Sequence, residues 1–188
     1  MLIGKIISTV AIVLTTLALN AQPPKGYVTG SILLADGSTA TGFVKDDMKN
    51  NASVSFIPEN AKKSVKYNGM EILGAEIESV KFQCIKGDFF KVICKGQLCF
   101  LQKVSDASGK LYNNGVEVVP ISGTEGKPGD YFFYNASGNQ LSLISKKNYD
   151  QIVSKHLGES SSAVDKAKST NGDISQLKDA VEIYNNRN

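Results

Sequence analysis

The sequence predicts a mainly β domain of α+β type: an antiparallel meander sandwich or partly closed barrel, with one or two C-terminal helices packed on it. Three observations carry this expectation. From Gly26 to about Ser145, short β-like runs recur between turn signals. Within residues 76–104, three runs joined by tight turns read as a meander. After Ser145 the apolar spacing lengthens to that of a helix. Many short strands with regular turns favour antiparallel layers over a parallel sheet with crossover helices.

Tyr27–Leu34 and Thr39–Lys45 flank Asp36-Gly37, a dipeptide suited to the positive φ angles of a hairpin turn. Val54–Ile57 is a short apolar run stopped by Pro58, and Ser64–Tyr67 ends at Asn68-Gly69. Glu76–Ile85 reads as one alternating strand, with Val80, Phe82 and Cys84 on its apolar face. Lys86-Gly87-Asp88 turns it into Phe89–Cys94, and Gly96-Gln97 turns that into Leu98–Val104. Further runs at Val116–Ile121, Tyr131–Tyr134 and Gln140–Ile144 are bounded by turns containing Gly115, Gly129 and Gly138.

A helix near 146–157 follows, with Ser145 as its cap, Tyr149, Ile152, Val153 and Leu157 on one face, and Gly158 as its stop. Glu159–Thr170 is polar and Ser-rich and reads as a mobile connector or weak helix. A last helix near 173–185 is capped by Asp173 and carries the stripe Ile174, Leu177, Val181, Tyr184. Residues 22–188 are therefore expected to form a single β-rich domain with a C-terminal helical cap.

Residues 1–21 have a different character. Lys5 supplies a positive start, an apolar run extends from Ile6 to Leu19, and small Ala21 closes it, the layout of a secretory signal peptide. The run is about 14 residues, short of the ~20 a membrane-spanning helix needs, so no transmembrane segment is expected in the mature chain. Export across the inner membrane follows, to the periplasm, the outer surface or the medium. No cysteine follows the run to carry a lipid. An outer-membrane barrel is disfavoured, because most strands are shorter than the ~9–11 residues required.

The 188-residue chain carries a formal net charge of +3, which falls by one with the loss of Lys5. Its lysines are scattered; Lys62, Lys63 and Lys66 form the densest group and read as solvated surface charges. Nucleic acid is not an expected partner.

Three cysteines leave at least one without an intramolecular partner. A two-residue Gly96-Gln97 loop would set Cys94 opposite Cys99 in a non-hydrogen-bonded pair, with Cα atoms ~4.5 Å apart, inside the disulfide range. An oxidising compartment favours that bond. The alternative is two reduced, buried cysteines serving as small apolar residues. Neither a second cysteine pair nor a nearby histidine supports a zinc site, and no cofactor is expected.

The run Gly26-Tyr27-Val28 through Asp36-Gly37 to Gly42-Phe43, then Phe89-Phe90-Lys91-Val92 with Gly96, Tyr131-Phe132-Phe133-Tyr134, Lys146-Lys147-x-Tyr149 and a closing Tyr184-Asn185 resembles a loosely defined group of exported β-rich proteins of Gram-negative bacteria. The resemblance spans most of the mature chain. It implies export and fold, and brings no established activity with it; the cysteine pair departs from the pattern.

Catalytic signatures are sparse. His156 is the only histidine, and its place in the last turn of a helix suits a cation at the C-terminal dipole. Pairing it with Cys84 as a nucleophile lacks an orienting third group. Gly-x-Ser-x-Gly, His-Glu-x-x-His and the phosphate-loop pattern are absent. Asp46, Asp47, Glu76 and Glu78 are acid–base candidates by residue type alone, and support the alternative of a hydrolase acting on envelope or extracellular polymers. The favoured expectation is a non-enzymatic cell-envelope module that binds a protein or glycan. Its candidate surface is the aromatic run, which is either a strand buried on both faces or one that leaves Tyr131 and Phe133 open to a sugar or apolar ligand.

Overall fold

A computed structural model describes residues 22–187; the expected signal segment, 1–21, lies outside the described residues. Alternating side chains and tight turns produce ten strands of one antiparallel sheet: β1 (Val28–Leu34), β2 (Thr39–Asp46), β3 (Ser53–Pro58), β4 (Val65–Asn68), β5 (Ile72–Ile77), β6 (Val80–Ile85), β7 (Asp88–Cys94), β8 (Leu98–Lys103), β11 (Tyr131–Asn135) and β12 (Gln140–Ile144). Their order is β12-β11-β8-β7-β6-β5-β1-β2-β3-β4. A four-residue helix, α1 (Met48–Asn51), joins β2 to β3. A separate ribbon of β9 (Leu111–Asn113) and β10 (Val118–Pro120) stands between β8 and β11.

The sheet curls without closing. Ile32, Val44, Val54, Phe56, Ile72 and Phe89 belong to one buried cluster although β3 and β7 are five strands apart in the ladder. A single bridge, Gly69 to Gly87, links the end of β4 to the β6–β7 turn. The expected partly closed barrel is therefore the architecture of β1–β7, while β8, β11 and β12 extend the sheet beyond it.

Three helices cover one face of that extension: α2 (Tyr149–Leu157), α3 (Ser161–Lys168) and α4 (Lys178–Asn185), the last preceded by a 3₁₀ turn at Ile174–Gln176. Their apolar stripes meet Leu98, Phe100, Phe133 and Ile144 in a second cluster that includes Val153, Leu157, Ala163, Val181 and Tyr184. Phe100 meets Phe133 edge-on with ring centroids 5.9 Å apart. On the opposite face Phe90, Leu101 and Phe132 form a third cluster, beneath the chain that links β8 to β11. Among the described residues no helix is long and apolar enough to cross a membrane.

Several elements differ from the sequence expectation. Glu76–Ile85 is two strands, because Glu78 and Ser79 both take positive φ (48° and 71°) and close a two-residue turn. That turn normally advertises itself through Asn-Gly or Asp-Gly, which this chain lacks here. The 3.6-residue stripe near 146–157 begins at Tyr149; Asn148, not Ser145, precedes the first turn, and its side-chain oxygen accepts from the Ser145 N–H at 2.7 Å. The polar Glu159–Thr170 stretch holds a helix, capped by the Ser160 hydroxyl on the Ala163 N–H, with Ala163 and Ala167 buried. Two small residues suffice there because α4 packs close against α3.

Candidate functional site

The aromatic strand divides its rings between two environments. Phe133 is fully buried under the helices, edge-on to Phe100 and to His156, so it is a core residue and not a ligand platform. Tyr131, two residues earlier on the same face, is half-buried. One side of its ring stacks on Phe100, at 5.4 Å and 19°, and the residue lines an open cleft of about 640 Å³. The cleft sits where the start of β11, the end of β12 and the α3–3₁₀ turn converge. Asp130, Lys146, Tyr149, Asn171 and Asp173 line it with Tyr131.

Each polar wall has a local cause. Asp173 caps the 3₁₀ turn by accepting from the Ser175 N–H and hydroxyl and from the Gln176 amide. The Ser175 hydroxyl, first among these bonds, holds the Asp173 carboxyl below its ordinary value, and Lys146 adds to the effect. The Tyr149 hydroxyl lies 2.8 Å from both the Ala167 carbonyl and the Thr170 hydroxyl; burial pushes its pKa up, and it stays a neutral donor. Asp130 accepts from the Lys127 N–H at 2.8 Å. The result is an anionic and amide-lined rim beside the half-buried Tyr131.

The expected Cys94–Cys99 bond is corrected. A bulge at Ile93 shifts the β7–β8 register, so Cys94 faces Phe100. Cys99 is next to Phe100 in β8 and therefore points to the opposite face. The two thiols accordingly join different clusters and are free, as is Cys84. Burial raises the thiol pKa of Cys84 and of Cys94, against an opposing hydrogen bond from Asn185 in the second case. The loop itself is three residues, Lys95–Gln97, and Gly96 is a glycine because any Cβ there would collide with the Asn185 side chain.

His156 is also corrected. It does lie in the last turn of α2 but faces inward, with Nε2 3.1 Å from the Ser142 hydroxyl and its ring against Phe133. Burial first, and Lys155 second, depress its pKa, so it is a neutral packing residue rather than a cation at the helix end. Cys84 packs with the barrel cluster and His156 lies under the helices, so the two belong to different parts of the core.

The scattered carboxylates serve locally. Asp46 accepts from the Met48 N–H, Asp47 pairs with Lys45 at 3.4 Å, and Glu76 pairs with Lys81 at 3.9 Å. Among the described residues no group of three His, Cys, Asp or Glu side chains is placed to hold a metal ion.

One charged constellation lies outside the candidate residues named above. Asp88 and Lys103 are both fully buried and 3.1 Å apart. Lys103 Nζ also donates to the carbonyls of Thr124, Glu125 and Gly126. Asp88 accepts from the N–H groups of Ala107 and Thr124 and from the Thr124 hydroxyl, each at 2.7 Å. The signal was present: both charges fall at apolar-face positions of alternating strands, Asp88 with Phe90 and Lys103 with Leu101.

No known family, curated protein or solved structure matches this chain. The functional reading therefore rests on the geometry above and on the sequence.

Proposed function

We propose that this protein is an exported, non-enzymatic binding module of the cell envelope, and that the cleft beside Tyr131 receives a glycan. The observation that carries the reading is the pairing, in one open cleft, of a half-exposed tyrosine ring with carboxylate, amide and ammonium groups. A sugar presents the complementary surfaces: an apolar ring face and a fringe of hydroxyls that both donate and accept. Support for export is the positively charged start, apolar run and small residue of segment 1–21, together with the resemblance to exported β-rich proteins of Gram-negative bacteria. Periplasm, outer surface and medium are all compatible with it.

A thermal-shift screen against glycans, fatty acids, envelope lipids and divalent metals, with a chelator control, tests the proposal. A ligand at 100 times its dissociation constant adds about 2.7 kcal/mol to folding stability. The expected result is a glycan-specific shift that disappears in Tyr131→Ala. A shift that survives the substitution moves the site elsewhere, and a flat panel replaces the glycan by a protein partner, to be sought by cross-linking in the envelope.

A further inference from the structure

A second pocket, of about 370 Å³, lies between the β3–β4 hairpin and the β9–β10 arm, away from Tyr131. Its floor is unusual. Ser53 is 1% exposed, and its hydroxyl has no hydrogen-bond partner among the described residues. The register fixes where that hydroxyl points. Val54 and Phe56 enter the barrel cluster, so Ser53 and Ser55 project from the other face of β3. There they stand beside their cross-strand partners Asn68 and Lys66. Ser53, Asn68 and Lys66 all line the pocket.

The arm closes the opposite side. Main-chain bonds between Lys110 and Ile121, and between Gly109 and Ile121, hold its base, and Tyr112 packs against Ala52, Ala107 and Ile121. Lys110 lines the pocket and ties the arm to α1 through the Asn50 carbonyl at 3.3 Å.

The polar lining is rich in donors. Asn68 Oδ1 accepts from the Met70 N–H and Asn113 Oδ1 from the Gly115 N–H, which leaves both Nδ2 groups as donors. Lys66 and Lys110 add two ammonium groups, and Ser53 adds a buried hydroxyl without a partner. Glu71 is the one carboxylate in the lining, and its Oε2 already accepts from the Asn68 N–H at 2.7 Å. A buried hydroxyl left unpaired costs stability, and a retained one is accounted for when a ligand completes it.

We propose that this pocket binds a phosphate group, with the Ser53 hydroxyl donating from the floor and Lys66 and Lys110 supplying the charge. The lysine cluster at 62–66, which looks like ordinary solvated charge in the sequence, then includes a ligand residue. The volume exceeds that of a bare phosphate, so the group is carried on a larger molecule, either a soluble phosphorylated compound or a lipid headgroup.

The test titrates the full chain with inorganic phosphate, followed by ³¹P line broadening, and in parallel with phosphatidylglycerol vesicles, followed by sedimentation. Saturable binding is expected to at least one probe, weakened on the order of tenfold in Ser53→Ala and about threefold or more in Lys66→Gln. Response to phosphate assigns a soluble ligand; response to vesicles alone assigns a headgroup. Without any probe, Ser53→Ala should melt at or above the wild-type temperature, because it deletes an unpaired hydroxyl. Binding unaffected by Ser53→Ala, a lower melting temperature in that variant, or no saturable binding to either probe would overturn the proposal.

Discussion

Strands β7, β8, β11 and β12 are covered on both faces, and the two covers work by different physics. On one face three helices lay down apolar side chains, and Phe100 and Phe133 are buried by contact alone. On the other face the covering chain, residues 104–130, contains little regular structure beyond the β9–β10 ribbon. Its centre is fixed by one buried ion pair and the backbone groups gathered around it, with a small apolar contact of Ala107 and Ile121 on Ala52 at the base of the ribbon. The helical cover is spread over many replaceable contacts, each worth a fraction of the whole. The loop cover is concentrated in two side chains that tolerate no partial loss, because a buried charge without its partner is costly. A segment with no repeating hydrogen-bond ladder of its own needs such a fixed point, since its carbonyls must find donors somewhere. Lys103 supplies three of those carbonyls with a single ammonium group.

The largest effects should come from breaking each cover at its centre. Phe133→Ala and Lys103→Met are each expected to cost about 3–5 kcal/mol in denaturant unfolding. The distinction lies in where protection is lost. Native-state hydrogen exchange in Phe133→Ala should follow the global stability, whereas Lys103→Met should release the amides of 105–126 well before the sheet opens. The pair Asp88→Leu with Lys103→Met should recover only part of the loss: it removes the lone buried charge, but it leaves the N–H groups of Ala107 and Thr124 and the carbonyls of 124–126 without their partners. If Lys103→Met unprotects the helices and the loop equally, the two covers are one cooperative unit and the contrast fails.

At the far end of the helical cover one residue ties α4 to the sheet by polar means, and it sharpens the comparison. Asn185, at the end of α4, accepts from the Leu98 N–H at 3.0 Å and donates to the Leu98 carbonyl at 2.9 Å. It imitates a neighbouring strand at the point where the β7–β8 turn leaves the ladder. Asn185→Ala should cost about 1–3 kcal/mol, because it strands two backbone groups. An effect below a few tenths of a kcal/mol would mean that water replaces both bonds and that α4 is held on the sheet by its apolar packing.

The contrast between the covers also explains what could be read in the sequence. Elements stabilised by repetition were legible: the β1–β2 hairpin at Asp36-Gly37, the barrel-like meander and the α4 stripe all advertise themselves by period. Elements fixed by one contact were not. The β5–β6 turn uses Glu78 and Ser79 at positive φ, and nothing local announces it. The bulge at Ile93, which separates Cys94 from Cys99, likewise has no local turn or glycine signal to announce it. The candidate site was half legible for the same reason. Alternation correctly put Tyr131 and Phe133 on one face, but only the placement of α2 and its His156 decides that Phe133 is shut in while Tyr131 meets the cleft. Ser53 carries no sequence signal at all; its interest comes from the arm laid over it.

The smallest expected effect concerns pH and again separates the two faces. The helical cover contains one imidazole, His156, whose pKa is lowered from 6.5 by burial and by Lys155. Around the ring stand the Ser142 hydroxyl and Phe133, neither of them ionised, so no carboxylate offsets the desolvation of a cation there. A base whose folded pKa is depressed takes up its proton more readily in the unfolded chain. Its contribution to stability is therefore complete above 6.5 and declines as pH falls from that value through the folded pKa. Denaturant midpoints measured between pH 7.5 and 5 should fall in the wild type. In His156→Gln, which keeps a group able to reach Ser142 but does not titrate, the decline over this window should be smaller. The carboxylates common to both proteins set the remaining slope at lower pH, so the difference between the two curves isolates the ring. Curves that stay parallel from pH 7.5 to 5 would show that His156 accepts its proton without leaving the helical core.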